Sequence, residues 1–139
     1  MSTILITGAS GGLAQEMVKL LPDDQLILLG RDKEKLAQLY GNHPQAELVE
    51  MDITDAQALE DLVAELYQRY GKIDVLINNA GYGIFEDFDK ISNKDIHQMF
   101  EVNTFALMNL SRLVASRMKE IRKGHIINIV SMAGLIATG

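Results

Sequence analysis

The sequence predicts an α/β fold, a doubly wound parallel sheet with helices on both faces. Three observations carry that expectation. Short apolar runs alternate with longer amphipathic stretches along the 139 residues. The runs are near-continuously apolar, as in strands buried on both faces, instead of alternating as in a half-wet sheet. Hydrophobic residues make up 47% and charged residues 23%, the balance of a globular chain able to bury a core.

About five strands are expected, at Thr3–Ile6, Gln25–Leu29, Glu47–Glu50, Ile73–Ile77 and Ile126–Val130, each bounded by turn or capping residues. A helix over Leu13–Leu21 follows a glycine-rich turn and is stopped by Pro22. Asp32–Tyr40 starts at an Asp N-cap and ends near Gly41. In Thr54–Tyr70, Thr54 and Gln57 form a capping box, Leu59, Leu62, Val63 and Leu66 form the apolar stripe, and Gly71 ends it. Ser92–Lys123 opens with Ser92-x-x-Asp95, and its basic last turn followed by Gly124 suits a left-handed C-cap. Right-handed crossovers place 13–21 and 32–40 on one face, and 54–70 and 92–123 on the other. The first face is then bare over the last two strands. Residues 1–139 are accordingly expected to be one domain, the N-terminal part of a longer one.

Composition narrows the function. The length excludes a two-domain enzyme on this chain. A net charge of −6 argues against a nucleic-acid or membrane-surface binder, since both need a basic face. There is no cysteine, which removes disulfides, thiolate metal sites and Cys nucleophiles. His43, His97 and His125 lack metal-ligand spacing, so no metal site is expected. No run is long enough to span a bilayer and Met1 leads straight into a strand, so the expected location is the cytoplasm.

The strongest motif is Ile4-Leu5-Ile6-Thr7-Gly8-Ala9-Ser10-Gly11-Gly12-Leu13-Ala14, a strand, a glycine turn and a helix start. Glycine allows a tight turn and close approach of backbone to a pyrophosphate, and the helix N-terminus offers free N–H groups. Glycine can also serve such turns for geometry alone. Thr7–Ala14 resembles the T-G-x-x-x-G-x-G turn of the short-chain dehydrogenase/reductase family. Asn78-Asn79-Ala80-Gly81 resembles its N-N-A-G, and Asn128–Gly134 its fifth-strand segment with the active-site serine. The three motifs stand in family order, with Ala14 in place of the third glycine, where alanine can still permit close helix–strand packing.

The resemblance implies a Rossmann-type sheet and an NAD(P)-dependent oxidoreductase acting on a small-molecule carbonyl or alcohol, as a homodimer or homotetramer. It implies cofactor contacts from Gly8, Ser10, Gly11, Gly12, Leu13, Asn79, Ala80 and Gly81. Asp52 reads by itself as a turn-former; the resemblance adds a role for it and the Ile53 backbone at the adenine. Asn103 would be an ordinary helix amide, but the resemblance gives it an active-site water, and it makes Ser131 the residue that hydrogen-bonds the substrate oxygen. The family's proton-donating Y-x-x-x-K has no counterpart here, since none of Tyr40, Tyr67, Tyr70 and Tyr82 has a lysine four residues on. It is expected beyond Gly139, and the resemblance then makes residues 1–139 the NAD(P)-binding Rossmann domain, the N-terminal part of a longer single-domain enzyme.

Cofactor choice is read at the end of the second strand. An acid there commonly holds the ribose 2′-OH of NAD; this chain has Gly30, then Arg31. NADP(H) is therefore favoured over NAD(H), unless Arg31 is merely solvated. A non-catalytic dinucleotide-binding or redox-sensing module is the alternative. A methyltransferase using S-adenosylmethionine is a further one, disfavoured by Gly30-Arg31, because an acid would normally meet its ribose hydroxyls.

Overall fold

The computed structural model describes residues 1–79 and 92–129. The order is β1 Thr3–Ile6, α1 Gly12–Lys19, β2 Gln25–Gly30, α2 Lys33–Tyr40, β3 Ala46–Glu50, α3 Ala56–Tyr70 and β4 Val75–Asn78. Then come α4 Asn93–Phe100, a π-helical segment Glu101–Ala106, α5 Leu107–Ile121 and β5 His125–Asn128. The five strands form one sheet in the order β3-β2-β1-β4-β5, with every pairing parallel.

Register sorts the side chains onto two faces. Leu5 sits opposite Ile27 and Leu76, and this row packs with Leu59, Leu66, Leu110 and Val114 of α3 and α5. The next row, Leu28, Ile6 and Ile77, packs with Ala14 and Val18 of α1 and Leu36 of α2. Ile127 of β5 continues that row but is 47% exposed, so among the described residues this face stays open at the β5 edge. The two-faced arrangement is the one the crossovers demand.

Several element ends differ from expectation. Ile73 is buried but precedes β4. The Asp74 carboxylate accepts from the Thr3 amide (2.8 Å) and the Asp74 amide donates to the Thr3 carbonyl (2.9 Å), so a side chain replaces the first rung of the ladder. Thr54 does not cap α3. Its hydroxyl donates to Asp52 (2.6 Å), and Asp55 caps the helix by accepting from the Ala58 amide (3.1 Å). Ser92 caps α4 as expected, accepting from the Asp95 amide (3.1 Å) and donating to its carboxylate (2.8 Å). The long helix then carries the π segment in its interior and ends earlier than Lys123. Arg122 takes the left-handed cap (φ 54°), not Gly124. Gly124 (φ 145°) meets the Met118 side chain too closely to leave room for a Cβ. Val130 lies outside the described residues.

Candidate functional site

The glycine turn is stapled to both neighbours of β1. The Thr7 amide donates to the Ile77 carbonyl (3.1 Å) and the Ala9 amide to the Leu29 carbonyl (2.9 Å). Gly8 turns the chain at φ 61°, a backbone state that side chains resist, and its carbonyl accepts from the Gly11 amide (3.1 Å). Gly11 is the N-cap of α1 and supplies no side-chain acceptor, whereas Asp32 and Asp55 cap α2 and α3. The first amides of α1 thus keep their donor capacity. A Cβ on Gly12 would enter open space, and Leu13 beside it is exposed. Ala14, in place of the third glycine, is fully buried against the sheet. A polyanion could approach this backbone closely.

Asn79 holds the turn from the β4 side. Its amide donates to the Thr7 hydroxyl (2.9 Å) and its side-chain Nδ2 to the Gly8 carbonyl (3.3 Å). From the other side, the Tyr40 hydroxyl at the end of α2 donates to the Ala9 carbonyl (2.5 Å). Sequence reasoning missed Tyr40 as a support of the turn. The signal was a phenol at an apolar helix position, which needs a partner when buried.

A cleft of about 310 Å³ opens beside the turn, between the ends of β2 and β3. Gly8 and Ser10 line it together with Arg31, Asp52 and Ile53, so five of the predicted residues meet there. Asp32 and Lys35 line it as well and were not anticipated as site residues. Gly11, Gly12 and Leu13 lie at the start of α1, outside that lining. Asp52 is fixed by Thr54, whose amide donates to Oδ1 at 3.0 Å and whose hydroxyl donates at 2.6 Å. These bonds, foremost that from the hydroxyl, hold its carboxyl below the usual range. Its Oδ2 lies 4.0 Å from Arg31 Nη2, with both side chains exposed. Arg31 thus stands largely in solvent at the cleft wall, within reach of an acid.

A second polar group lies deeper. The fully buried Asn78 Nδ2 donates to Ser111 Oγ (2.8 Å) and to Asn128 Oδ1 (2.7 Å), linking β4 to α5 and β5. Asn103 falls in the π segment; its side chain lies outside the described ones, as do residues Ala80, Gly81 and Ser131. Among the described residues no group of three or more His, Asp or Glu could hold a metal, and no helix is long and apolar enough to cross a membrane.

Relatives place the chain in a family. The family model described as short chain dehydrogenase matches residues 2–138. The ketoacyl reductase HetN of a Nostoc species is 36% identical over 138 residues, covering 95% of this chain and 48% of its own. The NADP-dependent 3-hydroxy acid dehydrogenase YdfG of Salmonella typhimurium is 33% identical over 135 residues, covering 94% and 54%. A gluconate 5-dehydrogenase from Burkholderia cenocepacia, solved with NADP and tartrate, superposes with a TM-score of 0.80 at 28% identity, covering 94% and 54%. The chain spans about half the length of the curated relatives it matches. With the family's pattern running from before β1 to beyond β5, the chain belongs to the short-chain dehydrogenases.

Proposed function

We propose that this protein is an NADP(H)-dependent oxidoreductase that passes hydride between the nicotinamide and a carbonyl or secondary alcohol. The single observation that carries the cofactor choice is the cleft at the end of β2. Gly30 stands where an acid would meet a ribose 2′-OH, and Arg31 lines the space beside it. The NADP named for the Salmonella relative and present with the Burkholderia structure supports the same reading.

In this proposal the uncapped first turn of α1, with Gly8, Ser10, Gly11, Gly12 and Leu13, holds the pyrophosphate through backbone N–H groups. Asp52 and the Ile53 backbone meet the adenine. Arg31 meets the 2′-phosphate, for which a guanidinium offers paired, charge-assisted hydrogen bonds. Asn79, Ala80 and Gly81 flank the nicotinamide side. The bound cofactor supplies or accepts the hydride. Ser131 would hydrogen-bond the substrate oxygen and Asn103 would hold a water near it. Proton donation falls to a tyrosine after Ser131 in the family's pattern. Tyr40 and Tyr70 are committed elsewhere, their hydroxyls donating to the Ala9 carbonyl and to Glu47 (2.8 Å).

Calorimetric titration with NADPH, NADH and S-adenosylmethionine tests the reading. Saturable binding of both dinucleotides, tighter for NADPH, is expected. Binding of S-adenosylmethionine alone would overturn it.

A further inference from the structure

Asn78, the last residue of β4, is fully buried, and its side-chain nitrogen serves two elements at once. Nδ2 donates one hydrogen to Ser111 Oγ on α5 (2.8 Å) and the other to Asn128 Oδ1 at the end of β5 (2.7 Å). The Asn78 main chain adds a further tie to that strand end, its carbonyl accepting from the Ile129 amide (3.0 Å). Asn78 Oδ1 is buried as well and meets no donor among the described residues. A buried acceptor without a donor lowers stability, and an apolar side chain of similar size would fill the space without that loss. What the amide supplies instead is direction. Leu110 and Val114 hold α5 to the sheet by apolar contact, which is non-directional, whereas a hydrogen bond fixes distance and angle. The Ser111 bond thus sets where α5 sits along its own axis against β4.

We propose that Ser111 is a positioning residue for hydride transfer: with Asn128 it holds the Asn78 amide, which locks the helix bearing Asn103 to the strand end that leads to Ser131. The inference rests on the oxidoreductase reading above, in which Asn103 and Ser131 serve the reaction, and it adds the parts that hold them. Asn103 lies upstream of Ser111 on the same continuous helix, within the π segment Glu101–Ala106. A π segment interrupts the ordinary helical ladder and is found mostly at functional sites. Its placement then depends on an anchor further along the helix, and Ser111 is that anchor. The end of β5 needs a tie for a different reason. Ile127 and Asn128 are exposed there, so packing grips the strand loosely and the Asn78 bonds hold it. Ser111 acts through Asn103 and Ser131 and not on the substrate itself. A misplacement of about 1 Å at reacting groups costs roughly a hundredfold in rate, which gives one directional bond its leverage.

The test follows NADPH oxidation by the full-length protein with a panel of aliphatic and aromatic aldehydes and ketones, alongside thermal melts. Ser111→Ala removes the acceptor on α5 and should lower kcat about ten- to a hundredfold, with KM for NADPH within about twofold of wild type. Ser111→Thr keeps a hydroxyl and should keep kcat. Asn128→Ala should lower kcat in the same way, and Asn128→Asp, which keeps an acceptor for Nδ2, should not. Ser116→Ala, at an exposed serine further along α5, should change nothing. A lowered melting temperature with unchanged kcat would make the cluster a structural bond only and overturn the proposal. So would a Ser111→Thr variant as slow as Ser111→Ala, or kcat and NADPH affinity falling together. Should Ser111→Ala not fold, Asn128→Ala at the exposed strand end decides by the same readings. Equal turnover by wild type and every variant overturns the positioning role and leaves the parent reading intact. Wild type that oxidises NADPH with no member of the panel would overturn both.

Discussion

Replacing Tyr40 by Phe removes one oxygen and keeps the ring. Tyr40 is the last residue of α2 and is 6% exposed, and its hydroxyl donates to the Ala9 carbonyl at 2.5 Å. Ala9 is fully buried, so its carbonyl would lose this donor in a place that water does not freely reach. The packing should survive, leaving the lost bond and the orphaned acceptor, together about 1–3 kcal/mol. For a chain of this size that is a drop in Tm of about 3–10 °C. The loss should also depend on pH. Burial raises the Tyr40 phenol above its usual range, so the folded state favours the neutral hydroxyl. A group raised in this way contributes its stability fully below the unfolded value of about 10 and loses it as pH climbs through the folded value. The gap between wild type and Tyr40→Phe in thermal melts should therefore be full at pH 7 and narrow above about pH 10. Identical melting at pH 7 would refute the idea that this hydroxyl supports the glycine turn.

Three other outcomes are expected. A Cβ on Gly30 would come within 3.0 Å of the buried Leu36 side chain; Gly30→Ala should lower the urea midpoint by an overpacking cost of about 1–3 kcal/mol, and an unchanged midpoint would show that Leu36 yields freely. Acid should weaken the fold. Thr54 hydrogen bonds hold Asp52 low; for Asp74, burial is outweighed by the Thr3 amide and Lys72, and for Glu47 by Arg69 and Tyr70. Carboxyls lowered in the folded state add stability above the unfolded value of about 4 and lose it as pH falls through the folded values, so a urea midpoint that stayed flat from pH 6 to 2 would contradict this. Phe105 and Met108 are 69% and 65% exposed near the start of α5, and we propose that they belong to a subunit interface. Light scattering should then report a dimer or tetramer that Phe105→Glu dissociates, and a wild-type monomer would count against it.

Strands and helix faces were readable because burial on both sides writes an unbroken apolar run, and right-handed crossovers leave little choice of face. The cleft residues Gly8, Ser10 and Arg31 were readable because they follow strands β1 and β2, where such sheets gather ligands, whereas Asp52 and Ile53 after β3 were reached only through the family resemblance. What escaped depended on partners distant in sequence. Thr54 has the residue type of a cap, yet its hydroxyl is taken by Asp52 two positions earlier, and Asp55 caps instead. Asn78 read only as the first residue of the N-N-A-G motif, but it bridges Ser111 and Asn128, 33 and 50 positions away. Lys35 was not singled out in the sequence, and only the packing of α2 beside the ends of β2 and β3 brings it to the cleft.

The cofactor assignment stands or falls on Arg31. Hydrogen bonds to a charged group contribute roughly 1.5–3 kcal/mol, so Arg31→Ala should weaken NADPH binding about ten- to a hundredfold. NADH lacks the 2′-phosphate and should bind the variant as it binds wild type. The measurement is a calorimetric titration of both dinucleotides against both proteins. Selective loss of NADPH affinity is the predicted result; equal weakening of NADPH and NADH, or of neither, would contradict the account.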